Sequence, residues 1–177
     1  GSTWSPLPNS NQKHCFIDSP NVRINDGWWV TGSLQTGDDS CSWSRTSGYI
    51  PTSEVYTGRN WIPGPTLPVD EYPIWSCVVN LNTTHTFLIG GGIPNCNDAW
   101  IYDWSTQAWT KTGSLIYNIW SHGCVSLGGK GILVVGGGNS GVELYDPVQG
   151  IWNSQPDLPN DIHPYAPLLL NWDDQIL

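Results

Sequence analysis

Five cysteines and four histidines are the side chains best suited to chemistry in this sequence of 177 residues: Cys15, Cys41, Cys77, Cys96, Cys124, His14, His85, His122 and His163. Gathered closely they would hold zinc or copper, but no Cys-x2-Cys or His-x3-His spacing occurs. His14 and Cys15 are adjacent, so on a strand they point to opposite sides. Asp38, Asp39 and Asp98 stand in loop-like stretches where carboxylates could take calcium, without the twelve-residue pattern of a dedicated loop. Covalent catalysis needs a nucleophile, a base and an oxyanion site. No Gly-x-Ser-x-Gly elbow is present, and the triplet Gly90–Gly92 lacks the Lys-Ser or Lys-Thr that would follow in a phosphate loop. The expectation is a chain with no catalytic residue, no metal and no cofactor.

Charge narrows the partners. Six Lys and Arg stand against 15 Asp and Glu, a net charge of -9, which excludes nucleic acid because phosphate recognition needs clustered cations. No apolar run of about twenty residues exists to span a membrane, and the first residues lack a signal-peptide pattern. There is no Met, so the chain is expected to be processed or part of something longer. Charged residues are only 12%, while 12 Trp and 7 Tyr offer large buried area. The cysteines, with the N-glycosylation triplet Asn82-Thr83-Thr84, point to a secreted or extracellular protein. The alternative is a cytoplasmic protein with reduced core thiols.

These residues are positioned by a repeat. Trp4, Trp61, Trp109 and Trp152 recur at intervals of 57, 48 and 43 residues, each followed by a short stretch ending in Leu7, Leu67, Leu115 or Leu158. Each interval holds an apolar segment with a cysteine (Cys15-Phe16-Ile17, Cys77-Val78-Val79, Cys124-Val125-Ser126). Next comes an apolar run ending in glycine: Trp28 to Gly32, Thr86 to Gly92 and Ile132 to Gly138. A third segment carries Tyr56, Tyr102 or Tyr145, and the next Trp lies five, seven and seven residues on. Four short apolar segments per period predict four strands. Such a unit cannot bury both faces alone, so copies must stack radially as the blades of a propeller. Glycine after the second strand lets the chain turn at positive φ and pass close beneath its neighbour. The Trp near the end of the fourth strand fills the wedge between blades, and its N–H must find an acceptor.

With Ile89-Gly90-Gly91-Gly92, Val135-Gly136-Gly137-Gly138 and the Tyr102-to-Trp109 and Tyr145-to-Trp152 spacings, the chain resembles the kelch repeat. The first period departs, with Thr31-Gly32 in place of a diglycine, a long insertion before Tyr56 and a shortened Tyr-to-Trp interval. The expected fold is an all-β kelch-type propeller. Residues 1–4 would be the tail of an outer strand, 5–61, 62–109 and 110–152 three blades, and 153–177 the start of a fourth. Open sheet edges invite pairing, so further blades are expected from missing sequence, a partner chain or self-assembly.

The resemblance implies that the start of the first strand, the end of the second and the start of the third share one face, commonly the ligand face. Loops there carry Cys41 and Cys96, which implies disulfides Cys15–Cys41 and Cys77–Cys96, with Cys124 free or intermolecular. The longest insertion contributes Trp43, Arg45 and Tyr49 as contact candidates; the connections between blades contribute Trp75, Tyr117 and Trp120. Wedge packing is the competing role for Trp75 and Trp120. Asn82 is expected in an exposed turn, available to a glycan. The functional expectation is a noncatalytic extracellular module binding a protein or glycan through this face. The alternatives are a structural protein assembling into an extracellular filament or matrix, and a metal enzyme like the galactose oxidases. The copper set of those oxidases, built on Tyr and His, does not map onto Tyr49, Tyr72, Tyr117 or Tyr165 here.

Overall fold

A computed structural model describes residues 7–11, 22–24, 27–31, 34–35, 49–50, 53–68, 75–91, 96–159, 171–172 and 175–176. In chain order the strands are β1 (Val22–Ile24), β2 (Gly27–Thr31), β3 (Leu34–Gln35), β4 (Tyr49–Ile50), β5 (Ser53–Tyr56), β6 (Trp61–Pro63), β7 (Cys77–Asn80) and β8 (His85–Ile89). They continue with β9 (Ala99–Asp103), β10 (Ala108–Lys111), β11 (His122–Ser126), β12 (Ile132–Gly136), β13 (Val142–Asp146), β14 (Ile151–Gln155), β15 (Asn171–Trp172) and β16 (Gln175–Ile176). Three antiparallel four-stranded sheets result, ordered β1-β2-β5-β6, β7-β8-β9-β10 and β11-β12-β13-β14. The fold is all-β, and each sheet is a meander in chain order, as a blade requires. The insertion in the first sheet folds back as the short pair β3–β4, and β15 pairs with β16. The fourth strands run on past their tryptophans, to Pro63, Lys111 and Gln155.

The sheets stack as wedges because each strand alternates its side chains between two neighbours. In β8, Phe87 and Ile89 join a core shared with the third sheet, including Cys124, Ile132, Val134, Tyr145 and Trp152. Leu88, between them, joins a core shared with the first sheet through Val22 and Trp29. Both faces are buried, which is why β8 reads as a continuous apolar run. The inner strands β1, β7 and β11 lie side by side, and Asn80 Nδ2 donates to the Arg23 carbonyl at 2.6 Å to tie the first two together. Two of the leucines that trail the tryptophans are part of these seams: Leu67 is buried in the first and Leu115 in the second, whereas Leu7 is exposed.

The Tyr-to-Trp spacing is a cross-strand pair. Tyr102 is opposite Trp109 and Tyr145 opposite Trp152, with ring centroids 4.9 and 5.2 Å apart. Each tryptophan then leans on the preceding blade, Trp109 on Trp29 at 6.0 Å and Trp152 on Phe87 at 6.4 Å. Trp61 Nε1 donates to the Pro8 carbonyl and Trp109 Nε1 to the Thr66 carbonyl, both at 2.8 Å. Trp152 Nε1, in the equivalent place, is buried without a hydrogen-bond partner.

The outer hairpins of the second and third sheets turn on the aspartate after the repeat tyrosine. Asp103 accepts from the Ser105 amide and hydroxyl, and these bonds hold its carboxyl down to about 2. Asp146 accepts from the Val148 and Gln149 amides, which lower it as well. Four residues past each aspartate the backbone is left-handed, at Gly150 (φ 72°) and at Gln107 (φ 57°). Only the glycine adopts that region freely. Gln107→Gly is therefore expected to stabilise the protein by about 0.5–1 kcal/mol, read as a higher urea midpoint at unchanged slope; an unchanged or lowered midpoint contradicts it.

The disulfide pairing expected for the second blade is corrected. Cys77 is bonded to Cys124, with Cα atoms 6.1 Å apart, inside the range a disulfide spans. Cys77 lies opposite Ile89, immediately before the glycines, whereas Cys124 lies opposite Val134, two residues before Gly136. That offset of one residue turns the two side chains to opposite faces of their own sheets, and so toward each other across the seam. Cys96 keeps its thiol, raised by burial, and Cys124 is neither free nor intermolecular. Cys15 and Cys41, and the segment Cys15–Ile17 expected as the first inner strand, lie outside the described residues; the inner strand described in the first sheet is Val22–Ile24.

Candidate functional site

Every connection between blades leaves a fourth strand and enters the next first strand, so all connectors lie at one end of the stack together with the β8–β9 and β12–β13 loops. The connector 112–121 is described throughout. On the second-blade side, the Leu115 amide donates to the Asn97 carbonyl at 2.8 Å and the Ile119 amide to the Cys96 carbonyl at 3.3 Å. The Gly91 amide in turn donates to the Ile119 carbonyl at 3.2 Å. Leu115 and Ile119 are buried while Ile116, Tyr117 and Trp120 remain 53%, 37% and 40% exposed. Thus two residues four apart anchor the connector, and those between and after them stand out from it.

Trp120 meets Trp75 of the preceding connector, ring centroids 5.6 Å apart and tilted by 44°. Two of the six expected contact residues are therefore in direct contact. The pairing has a backbone cause: Trp75 (φ 61°) and Ser121 (φ 51°) both adopt the left-handed region just before an inner strand, and the Ser121 amide donates to the Trp75 carbonyl at 3.0 Å. Strain of this kind costs a non-glycine residue about 1–2 kcal/mol and is found where the surroundings dictate the conformation. Glycine supplies the close approach beneath. A Cβ at Gly137 (φ 86°) would come within 2.9 Å of the Ile119 Cβ, and one at Gly90 (φ 57°) within 2.6 Å of the His122 ring. His122 is sealed in under these turns, and burial, opposed only in part by the Ile89 backbone, drives it down to about 3, so it is neutral at ordinary pH.

The sequence reading missed one kind of residue, the glutamate two positions before the repeat tyrosine. Glu143 is 2% exposed, yet its Oε2 accepts from the Ile116 amide at 2.8 Å and its Oε1 from the Tyr117 amide at 3.1 Å. Burial raises its pKa, and the two amides offset part of that rise. Glu54, in the same place in the first sheet and also buried, accepts from the Asn11 amide at 3.2 Å. In the second sheet the position is Trp100, over which the Lys111 ammonium lies 5.5 Å from the ring while pairing with Asp98 at 2.8 Å. The signal was present as an acid within an apolar strand at a fixed distance from the tyrosine.

Of the remaining expected residues, Trp43 and Arg45 lie outside the described residues, as do Asp38, Asp39, Tyr72 and Tyr165. Tyr49 is in β4, paired with Gln35. Asn82 lies in the exposed β7–β8 turn, at the opposite end from the connectors. Its Oδ1 accepts from the Thr84 and His85 amides at 2.9 and 2.8 Å. Among the described residues no three of His, Cys, Asp and Glu come together. A cleft of about 610 Å³ opens between the first and second sheets, lined by Ile24, Val55, Ile62, Tyr102, Trp104 and Gln107 among others; no acid, histidine or cysteine lines it. No helix among the described residues is long and apolar enough to cross a membrane.

Comparison with known proteins agrees with the repeat. The chain is 27% identical over 121 residues to mouse Kelch-like protein 35 and 26% over 120 residues to its human counterpart; each match covers 64% of this chain and 20% of the relative. It is 37% identical over 68 residues to the F-box/kelch-repeat protein SKIP30 of Arabidopsis thaliana, covering 35% of this chain and 19% of that protein. The matches thus span about a fifth of the length of these curated relatives. No family model matches the chain. With diglycine turns, cross-strand Tyr–Trp pairs and wedge-packed four-stranded sheets in one chain, and with these relatives, the protein is similar to the kelch-repeat proteins and is built of kelch-type β-propeller blades.

Proposed function

We propose that the protein is a noncatalytic binding module that recognises a protein partner through the connector end of its blades, with Trp75, Ile116, Tyr117 and Trp120 as apolar anchors. The observation that carries the reading is the combination of exposure and fixation. Aromatic and aliphatic side chains held rigid before binding lose little entropy on complex formation, and desolvating them supplies affinity. Trp43, Arg45 and Tyr49, which fall in the insertion between β2 and β5, are proposed as further contacts with the same partner. A peptide library displayed on phage and selected on the intact protein tests the reading. Enriched peptides are expected to lose at least 10-fold in affinity for the Tyr117→Ala/Trp120→Ala variant while the circular dichroism spectrum is unchanged. Peptides that bind the variant as well as the wild type would sink it, and glycan-array binding lost in the same variant would redirect it to a carbohydrate.

We also read the protein as one of an oxidising, extracytoplasmic compartment. The buried Cys77–Cys124 bond and the exposed Asn82 turn support this. A mass decrement on enzymatic deglycosylation of the native protein, absent in Asn82→Gln, is the expected result; native protein with no glycan and only reduced thiols contradicts it.

A further inference from the structure

We propose that Glu143 is a positioning residue of the recognition face: its carboxylate takes the amides of Ile116 and Tyr117, one on each oxygen, and so fixes the tip that presents these two side chains to a partner. The proposal rests on the preceding reading of the face, but its first test needs no partner. Glu143 belongs to β13 of the third blade, whereas Leu115 and Ile119 are held by the loop of the second. The tip is thereby gripped from both sides of a seam. Without the glutamate, two adjacent amides that point into a buried place would have no acceptor there, and the tip would turn to satisfy them from water. The Tyr117 ring also depends on this geometry, since a Cβ on Gly141 of the β12–β13 loop would come within 2.9 Å of it. Glu54 and the Asn11 amide repeat the arrangement in the first blade. A carboxylate under a connector is thus used at two places, and at Trp100 the second blade uses a different side chain.

Hydrogen exchange of the intact protein, resolved to single amides by NMR, tests the grip. Glu143→Gln keeps one acceptor but turns an NH2 toward the other amide. At least one of the Ile116 and Tyr117 amides is then expected to exchange 10-fold or more faster, with the amides of β12 unchanged. Glu143→Ala should release both; if it does not fold, the glutamine variant suffices. Unchanged protection in Glu143→Gln overturns the grip. The second arm measures the phage-selected peptides against Glu143→Gln, where about 10-fold weaker binding is expected. If the amides are released but affinity holds, the positioning role is overturned while the binding face stands. If affinity is also indifferent to Tyr117→Ala/Trp120→Ala, the reading of the face itself is what fails.

Discussion

Removing the Cys77–Cys124 bond is expected to lower the unfolding free energy by about 4 kcal/mol, the chain-entropy value for a closed loop of the 47-residue separation between the two cysteines. For a chain of this size that corresponds to a fall in melting temperature of roughly 10 °C. The bond matters beyond entropy because it joins the inner strands of two blades, β7 and β11, which share no backbone ladder. Elsewhere the two blades are held by packed side chains and by the connector between them. Cys77→Ala and Cys124→Ala should each show the full loss, and the double variant should show no more than either, because one bond is removed in all three. Cys15 and Cys41 lie outside the described residues, so these variants, rather than a reductant alone, isolate the effect. Cys96→Ala is the discriminating control. If it reproduces the loss and Cys124→Ala does not, the bond runs within the second blade after all.

The way this pairing escaped the sequence shows what kind of information a repeat carries. Aligning the periods on Trp61, Trp109 and Trp152 led to four-stranded sheets and their turns, because each rests on a residue type that few others can replace: glycine at positive φ, a leucine in the seam, an indole opposite a tyrosine. Phase within a strand is a finer quantity. Cys77 and Cys124 look equivalent as members of an apolar segment, yet they stand 13 and 12 residues before the first glycine of their turns. The inner hairpins close with the same register, Asn80 opposite Thr86 and Ser126 opposite Ile132, so that one residue decides the face. Counting to the glycine would have revealed it.

The site was legible in part for a related reason. Trp75, Tyr117 and Trp120 stood out as aromatics between blades, and Trp75 in one connector meets Trp120 in the next. The competing roles of wedge packing and surface contact were not separable from sequence, because exposure depends on which residues of the connector are pulled inward; Leu115 and Ile119 are, and that follows from hydrogen bonds to the carbonyls of Asn97 and Cys96 in an earlier loop. Glu143 was overlooked because an acid in a strand reads as a solvated residue until its acceptors are seen to be used.

The largest loss from a single side chain is expected at Trp29, and the contrast with its neighbour makes the test sharp. Trp29 is 0% exposed and packs on Trp104 at 5.7 Å and Trp109 at 6.0 Å across the seam, whereas Trp28 is 48% exposed. Trp29→Ala leaves a cavity between two blades and should cost about 3–5 kcal/mol, while Trp28→Ala, although the same chemical change one residue away, should cost under about 1 kcal/mol. The repeat supplies a third variant. Trp29 lies opposite Val55 as Phe87 lies opposite Ile101, so the second blade uses phenylalanine where the first uses tryptophan. Trp29 Nε1 is also buried without a hydrogen-bond partner, a group whose removal relieves a desolvation penalty. Trp29→Phe is therefore expected to lose much less than Trp29→Ala, about 1–2 kcal/mol, because the lost ring volume is offset by the removed donor. Urea denaturation of the three variants at constant slope reads all of this at once. Equal losses for Trp28→Ala and Trp29→Ala would mean that β2 does not alternate between a seam and the outside, and the wedge packing of the first two blades would have to be abandoned.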